Sequence, residues 1–144
     1  MKIGFTNGCF DLLHEGHLHL LEHARMQCDH LILAIDHDSR VHSLKGTGRP
    51  VDPLWRRISN LQTRASAYVD AIVPFHDATG LLELIHAIKP IKMFKGDDYV
   101  GQHVMGADSL PVWGGELVYI PRLPGISTTI LLAGKNEKGK SSLF

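Results

Sequence analysis

Hydrophobic positions along the chain fall into short runs separated by stretches of longer period. Apolar runs at Ile3–Phe5, Leu31–Ile35, Ala71–Pro74 and Ile91–Phe94, with Glu116–Ile120 after a Gly114-Gly115 turn, read as five strands. Between the first two, Leu18, Leu20, Leu21 and Ala24 are spaced for one buried helix face. Pro53 opens a second helix, with Trp55, Ile58, Leu61 and Ala65 as its apolar face and Arg56, Arg57 and Arg64 as its charges. A third runs over Leu81–Ile88 and stops before Pro90. Ser39–Asp52 has no clean period and reads as a mobile loop, and His76–Gly80 reads as another loop. Ser127 and the following threonines fit the N-cap of a last helix over Ile130–Ala133. Strands alternating with helices predict an open α/β sheet in one domain over residues 1–135, with a polar tail at 136–144.

Charge changes this picture by exclusion. Fifteen Lys+Arg balance fifteen Asp+Glu, which argues against a nucleic-acid partner or a membrane surface. No apolar run approaches the roughly 18 residues of a bilayer span, and the N-terminus lacks the pattern of a signal peptide. Cys9 and Cys28 make no disulfide framework and suit a reducing cytoplasm, the expected location. Ten histidines would make the protein more cationic below about pH 6.

The candidate chemistry concentrates in Thr6-Asn7-Gly8-Cys9-Phe10-Asp11-Leu12-Leu13-His14-Glu15-Gly16-His17, a strand, a glycine-bearing turn and a helix start. Open α/β sheets bind phosphate at such a point, because the first helical N–H groups and the helix dipole favour an anion. Gly8 lets backbone approach a ligand, and Gly16 leaves room for a nucleotide against the helix. His14 and His17, three apart, share a face and can donate hydrogen bonds to charge developing on a transferring phosphoryl group. A histidine pair alone is weak in a chain with ten; the whole string is far more specific. Other strand ends carry charge too. Asp36 and Asp38 follow the second strand, as ligand contacts or as turn formers. Lys45 and Arg49 lie in a basic loop that could close over a triphosphate, or simply be solvated. Lys95-Gly96-Asp97-Asp98-Tyr99 follows the fourth strand, and Arg122 and Ser127-Thr128-Thr129 follow the fifth. His14, His17, His19 and His23 crowd one helix, but their offsets cannot all face one ion and no Cys or carboxylate stands at a zinc-like spacing.

Gly8-Cys9-Phe10-Asp11 with His14-Glu15-Gly16-His17, and Gly125-Ile126-Ser127-Thr128-Thr129, resemble the two ordered signatures of the cytidylyltransferase-like nucleotidyltransferases. The likeness runs from Lys2 to about Leu132. It implies a Rossmann-like three-layer α/β/α fold with a mainly parallel five-stranded sheet. The implied reaction transfers a nucleoside monophosphate from a triphosphate to a phosphorylated sugar or polyol, releasing pyrophosphate, with Mg²⁺ carried by the nucleotide phosphates. Gly48-Arg49-Pro50-Val51-Asp52-Pro53-Leu54 with Arg57, Asn7 beside the first signature, and Lys95-Gly96-x-Asp98-Tyr99 look like heptose-1-phosphate adenylyltransferases. Arg122-Leu123-Pro124-Gly125 running into the second signature, with Gly96-Asp97-Asp98, looks like glycerol-3-phosphate cytidylyltransferase. Cys9, where the glycerol enzymes tend to carry Thr, favours the sugar branch. By this resemblance His14, His17, Lys45 and Arg122 are the catalytic set. Gly8, Cys9, Phe10, Gly16, Lys95, Gly96, Asp98, Ser127, Thr128 and Thr129 bind nucleotide, and Asp11, Asp38 and Arg57 meet the acceptor or, for Asp11, orient the turn and, for Arg57, bind the triphosphate. A homodimer is implied as well. Relatives of this type are often fused to a kinase domain that this sequence does not carry, so the phosphorylation step is expected elsewhere or the acceptor differs. Arg40, His42 and the segment Val104–Pro111 match nothing in the family pattern, and a non-catalytic nucleotide-binding module is the rival from another class.

Overall fold

In the computed structural model, which describes residues 1–123, five parallel strands form one sheet. They are β1 (Ile3–Gly8), β2 (His30–Asp36), β3 (Ala71–Phe75), β4 (Lys92–Gly96) and β5 (Glu116–Ile120), in the spatial order β3-β2-β1-β4-β5. The helices are α1 (Glu15–Arg25), α2 (Asp38–Lys45), α3 (Leu54–Arg64) and α4 (Ala78–Ile88), with 3-10 turns at Asp97–Tyr99 and Ala107–Trp113. From β1 the chain steps to β2 and β3 on one side; β4 and β5 then fill the other. The junction of β1 and β4 is therefore the topological switch point, where loops leave in opposite directions and open a crevice.

Apolar side chains cover both faces of the sheet, as parallel strands require. On one face Leu20, Leu21 and Ala24 of α1 and Leu61 of α3 pack on Leu31, Leu33, Ile35, Phe94 and Ile120. On the other, Leu81 and Ile85 of α4 and Leu110 pack on Phe5, Ala34 and Met93. This is the expected three-layer α/β/α arrangement, and every strand pairing is parallel.

Three local expectations change. The expected loop at Ser39–Asp52 begins as α2, which buries only Val41 and so leaves no periodic trace. His37 Nδ1 caps it weakly by accepting the Ser39 N–H at 3.4 Å. The expected loop at His76–Gly80 contains the start of α4, where Asp77 caps by accepting the Gly80 N–H at 2.8 Å. In α3, Trp55 is 65% exposed and its ring stacks with Arg56, whereas Arg57 is 1% exposed. The apolar stripe passes through Leu54, Ile58, Leu61 and Ala65, one position off Trp55. The expected helix at Ile130–Ala133 and the tail at 136–144 lie outside the described residues.

Candidate active site

The turn after β1 places two histidines at the N-terminus of α1. His14 is the N-cap and His17 is three positions on, and together they build a capping box from imidazoles. His14 Nδ1 accepts the Gly16 N–H at 3.0 Å, and His17 Nδ1 accepts the His14 N–H at 3.2 Å. The rings stack with centroids 3.8 Å apart. Because each Nδ1 accepts, each neutral ring carries its proton on Nε2 and is a donor there. Burial, and then the positive charge of Arg64, pushes the His14 pKa down to about 4. Near neutral pH His14 is thus an uncharged hydrogen-bond donor.

Between the two signature histidines and the sheet, the backbone is bent tightly. Phe10 and Leu12 have positive φ angles of 50° and 53°, a region that L-residues with bulky side chains rarely occupy. Such strain persists where surrounding contacts over-determine it. Here Phe10 is fully buried with its ring 5.3 Å from that of His17, and Asp11 is fully buried beside it. Asp11 accepts from Arg49 Nε at 3.0 Å and from the backbone N–H groups of Val51 and Asp52 at 2.7 and 2.8 Å. The carboxylate thereby ties the histidine turn to the segment leading into α3.

Arg57 makes the second tie. Its Nη1 donates to the carbonyls of Cys9 and Asp36, both at 2.8 Å, its Nε to the Asp52 carbonyl at 3.0 Å and its Nη2 to Asp38 Oδ1 at 2.7 Å. One buried guanidinium thus fixes the ends of β1 and β2 and the first turn of α2.

At the C-terminal ends of β1, β2 and β4 lies a cleft of about 340 Å³ lined by Asn7, Gly8, Cys9, Asp36, Lys45 and Lys95 among others. Lys95 is 4% exposed; its Nζ donates to the Asn7 carbonyl at 2.8 Å and lies 4.7 Å from the centre of the Tyr99 ring. Burial lowers its pKa to about 8 against the opposing pull of Asp36 and Asp98, and the charge of Lys45 lowers it further. Asp36 titrates above the usual carboxylate range because it is buried, although Arg40 draws it back.

A cytidylyltransferase-like family model matches residues 5–133, nine-tenths of a chain whose histidine turn sits at the switch point just described. The chain belongs to the cytidylyltransferase-like family. It is 49% identical over 128 residues to the bifunctional protein HldE of Acidiphilium cryptum, a match covering 89% of this chain and 26% of that protein. To HldE of Hyphomonas neptunium it is 41% identical over 140 residues, covering 97% and 28%. The chain therefore spans about a quarter of the length of these curated relatives. Among solved structures, the lipopolysaccharide core biosynthesis protein of Thermoplasma volcanium superposes with a TM-score of 0.62 at 19% identity, over 85% of this chain and 97% of that one. That likeness shows the fold.

On this cytidylyltransferase-like frame the residues singled out from sequence do not all meet at one place. Gly8, Cys9, Lys45 and Lys95 meet at the cleft, with His14, His17, Phe10 and Gly16 at the neighbouring helix start. Asp11, expected to orient the turn or meet the acceptor, and Arg57, expected at the acceptor or triphosphate, have their polar atoms engaged inside the protein. Asp38 accepts from Arg57 yet keeps 41% of its side chain exposed. Gly96 is buried at the end of β4, and Asp98 does not line the cleft. One Asp98 carboxylate oxygen is buried with no hydrogen-bond partner among the described residues. Arg122, half exposed, pairs with Asp97 at 2.6 Å, and His19 Nε2 lies 2.8 Å from the preceding Pro121 carbonyl. Ser127, Thr128 and Thr129 lie outside the described residues. Among those described, no group of three or more His, Cys, Asp and Glu is placed to hold a metal ion, and no helix is long and apolar enough to cross a membrane.

Sequence reasoning missed Arg40, Tyr99, His103, Val104 and Met105, which also line the cleft. Arg40 comes from α2 and the others from the segment after β4, and of these only Tyr99 stands in a motif singled out from sequence. Only the position of Arg40, four residues after Asp36, could have suggested the ion pair between them.

Proposed function

We propose that this domain transfers a nucleoside monophosphate from a nucleoside triphosphate to a phosphorylated sugar, releasing pyrophosphate, and that it does so as a heptose-1-phosphate adenylyltransferase. The observation that carries this reading is the stacked His14–His17 pair at the start of α1, both Nδ1 atoms accepting from backbone N–H groups at the helix N-terminus. The family supports nucleotidyl transfer, and relatives named HldE favour the sugar-phosphate branch over the glycerol phosphate one.

In the proposed reaction an oxygen of the acceptor phosphate attacks the α-phosphorus of the nucleotide in line. The new P–O bond forms as the bond to the β-phosphate bridging oxygen breaks, and pyrophosphate leaves with that electron pair. No protein nucleophile is needed, so catalysis consists of positioning and charge stabilisation. His14 and His17 donate to oxygens that gain charge, helped by the N-terminal dipole of α1. Lys45 and Lys95 supply positive charge from the cleft side, and Arg122 with Ser127, Thr128 and Thr129 holds the outer phosphates. Asp11 and Arg57 act as positioning residues that hold the turn and the strand ends. Mg²⁺ brought in with the triphosphate would supply charge neutralisation for the leaving pyrophosphate.

The test is pyrophosphate release with Mg²⁺, crossing ATP and CTP against heptose-1-phosphate and glycerol-3-phosphate. Turnover confined to ATP and the heptose is the expected result. Turnover with CTP and glycerol phosphate would replace the acceptor and base in this reading, and silence in every combination would remove the transferase reading itself.

A further inference from the structure

The cleft holds a second polar pair that neither the family signatures nor the histidine turn accounts for. Arg40 Nε donates to Asp36 Oδ1 at 2.7 Å, and the Arg40 guanidinium carbon sits 5.4 Å from the centre of the Phe75 ring. A carboxylate on one edge and an aromatic face fix the guanidinium plane. Among the described residues its two Nη atoms have no hydrogen-bond partner. Asp36 and Arg40 keep only 11% and 19% of their side chains exposed, and both line the cleft. A desolvated ion pair that presents donors and an acceptor side by side is suited to a ligand offering the same alternation.

The opposite wall is equally well defined. It is formed by Tyr99, His103, Val104 and Met105, the segment running into the stretch that matched nothing in the family pattern. Val104 is 5% exposed in the core, and Gly106, at φ +85°, packs so closely on α4 that a β-carbon there would lie 2.5 Å from Ile85 Cδ1. The wall is thus pinned to the fold. Lys45 and Lys95 line the same cleft, with Lys95 Nζ held 2.8 Å from the Asn7 carbonyl at the end of β1. The cleft thus carries the two cations Lys45 and Lys95 beside the Asp36–Arg40 ion pair, with Asp36 near enough to Lys95 to favour its charged form.

We infer that this cleft is the acceptor subsite, that it takes a polyhydroxylated phosphate with the phosphate toward Lys45 and Lys95, and that Asp36 and Arg40 read a pair of neighbouring hydroxyls as the specificity-determining residues. Asp36 accepts from one hydroxyl while an Arg40 Nη donates to the other. A simple alkyl phosphate would leave the ion pair desolvated and unanswered, which is how a polar site rejects an analogue lacking its hydroxyl. This deepens the sugar-phosphate reading above and rests on it.

The experiment measures steady-state pyrophosphate release for the wild-type protein, Arg40→Lys and Asp36→Asn, varying ATP and heptose-1-phosphate separately. It is paired with calorimetric titration of heptose-1-phosphate and of ethyl phosphate into each protein without nucleotide. Loss of a hydrogen bond to a charged group corresponds to about a tenfold rise in KM for the sugar phosphate. The ATP KM should stay within about twofold, because the substitutions leave the histidine turn untouched. Wild-type protein should bind the sugar phosphate more tightly than ethyl phosphate, and both variants should lose that preference. Retained preference in both variants, or an ATP KM that rises as much as the acceptor KM, overturns the assignment. A wild-type protein that prefers the sugar phosphate in the titration, with the preference lost in the variants, yet releases no pyrophosphate refutes the transferase reading and leaves the subsite standing.

Discussion

At the residue scale the proposed chemistry rests on a histidine kept neutral and a lysine whose pKa is drawn down to about 8. His14 titrates near 4 in the folded chain, below its ordinary value of 6.5, so the unfolded chain takes up the proton first as pH falls. The contribution of His14 to stability is therefore complete above about pH 6.5 and declines as pH drops toward 4. Protonation would also remove the Nδ1 lone pair that caps α1 at Gly16. His14→Asn separates structure from chemistry, because Asn is among the best N-caps. Urea denaturation should show near wild-type stability at pH 7 and a flatter loss between pH 6.5 and 4, while turnover falls by about 10²–10³-fold. Unchanged turnover would take His14 out of the mechanism. Lys95 makes the complementary prediction. It loses its charge near pH 8, so kcat/KM, which reports the free enzyme, should fall on an alkaline limb there. Lys95→Arg stays protonated and should move that limb upward by more than one pH unit in a pH–rate profile, at some cost in absolute rate because Arg is bulkier.

At the element scale, the long crossover from β2 to β3 is fastened to the site by Arg57 and by Asp11. Arg57 bonds four oxygens drawn from the β1 turn, β2, α2 and the start of α3. Arg57→Ala strands the buried Cys9 and Asp36 carbonyls, and should cost about 3 kcal/mol in urea denaturation. As a positioning residue it should also raise the KM of both substrates together, since the ends of β1 and β2 shift with it. A rise confined to the acceptor would return Arg57 to the binding role read from sequence. These elements also show where sequence patterning is informative. Strands and α1 were legible because continuous or periodic apolar residues mark burial, and the histidine turn because its chemistry needs neighbours in sequence. By contrast, α2 buries one apolar residue and is capped by His37. Arg57 is a core residue with the composition of a surface one, so hydrophobic period alone could reveal neither.

At the scale of the whole molecule, the site exists because sheet order brings together segments far apart in sequence. Gly8, Asp36 and Lys95 end three strands, and their meeting follows from the β2-β1-β4 arrangement. An α/β reading foretells that a crevice will form, but the residues lining it depend on which strands become neighbours. That is why Arg40 and His103 were not legible in the chain as lining residues. The central strand must also lie close to its surroundings. A β-carbon on Gly4 of β1 would sit 2.7 Å from both Cys28 Sγ, beyond α1, and Phe94 Cε2 on β4. Phe94 is fully buried and Cys28 nearly so, leaving neither an open space to swing into. Gly4→Ala should therefore destabilise the fold by about 1–3 kcal/mol through overpacking. Gly4 lies at the end of β1 opposite the cleft, so KM for both substrates should hold in protein that remains folded. Denaturant midpoints alongside steady-state kinetics at low temperature make the comparison. A double substitution, Gly4→Ala with Cys28→Ala, should recover part of the lost stability because it removes one of the two colliding atoms. If KM for either substrate rises severalfold in folded Gly4→Ala protein, β1 transmits its packing to the cleft as a rigid unit, and the site is less insulated from the far end of the sheet than its geometry indicates.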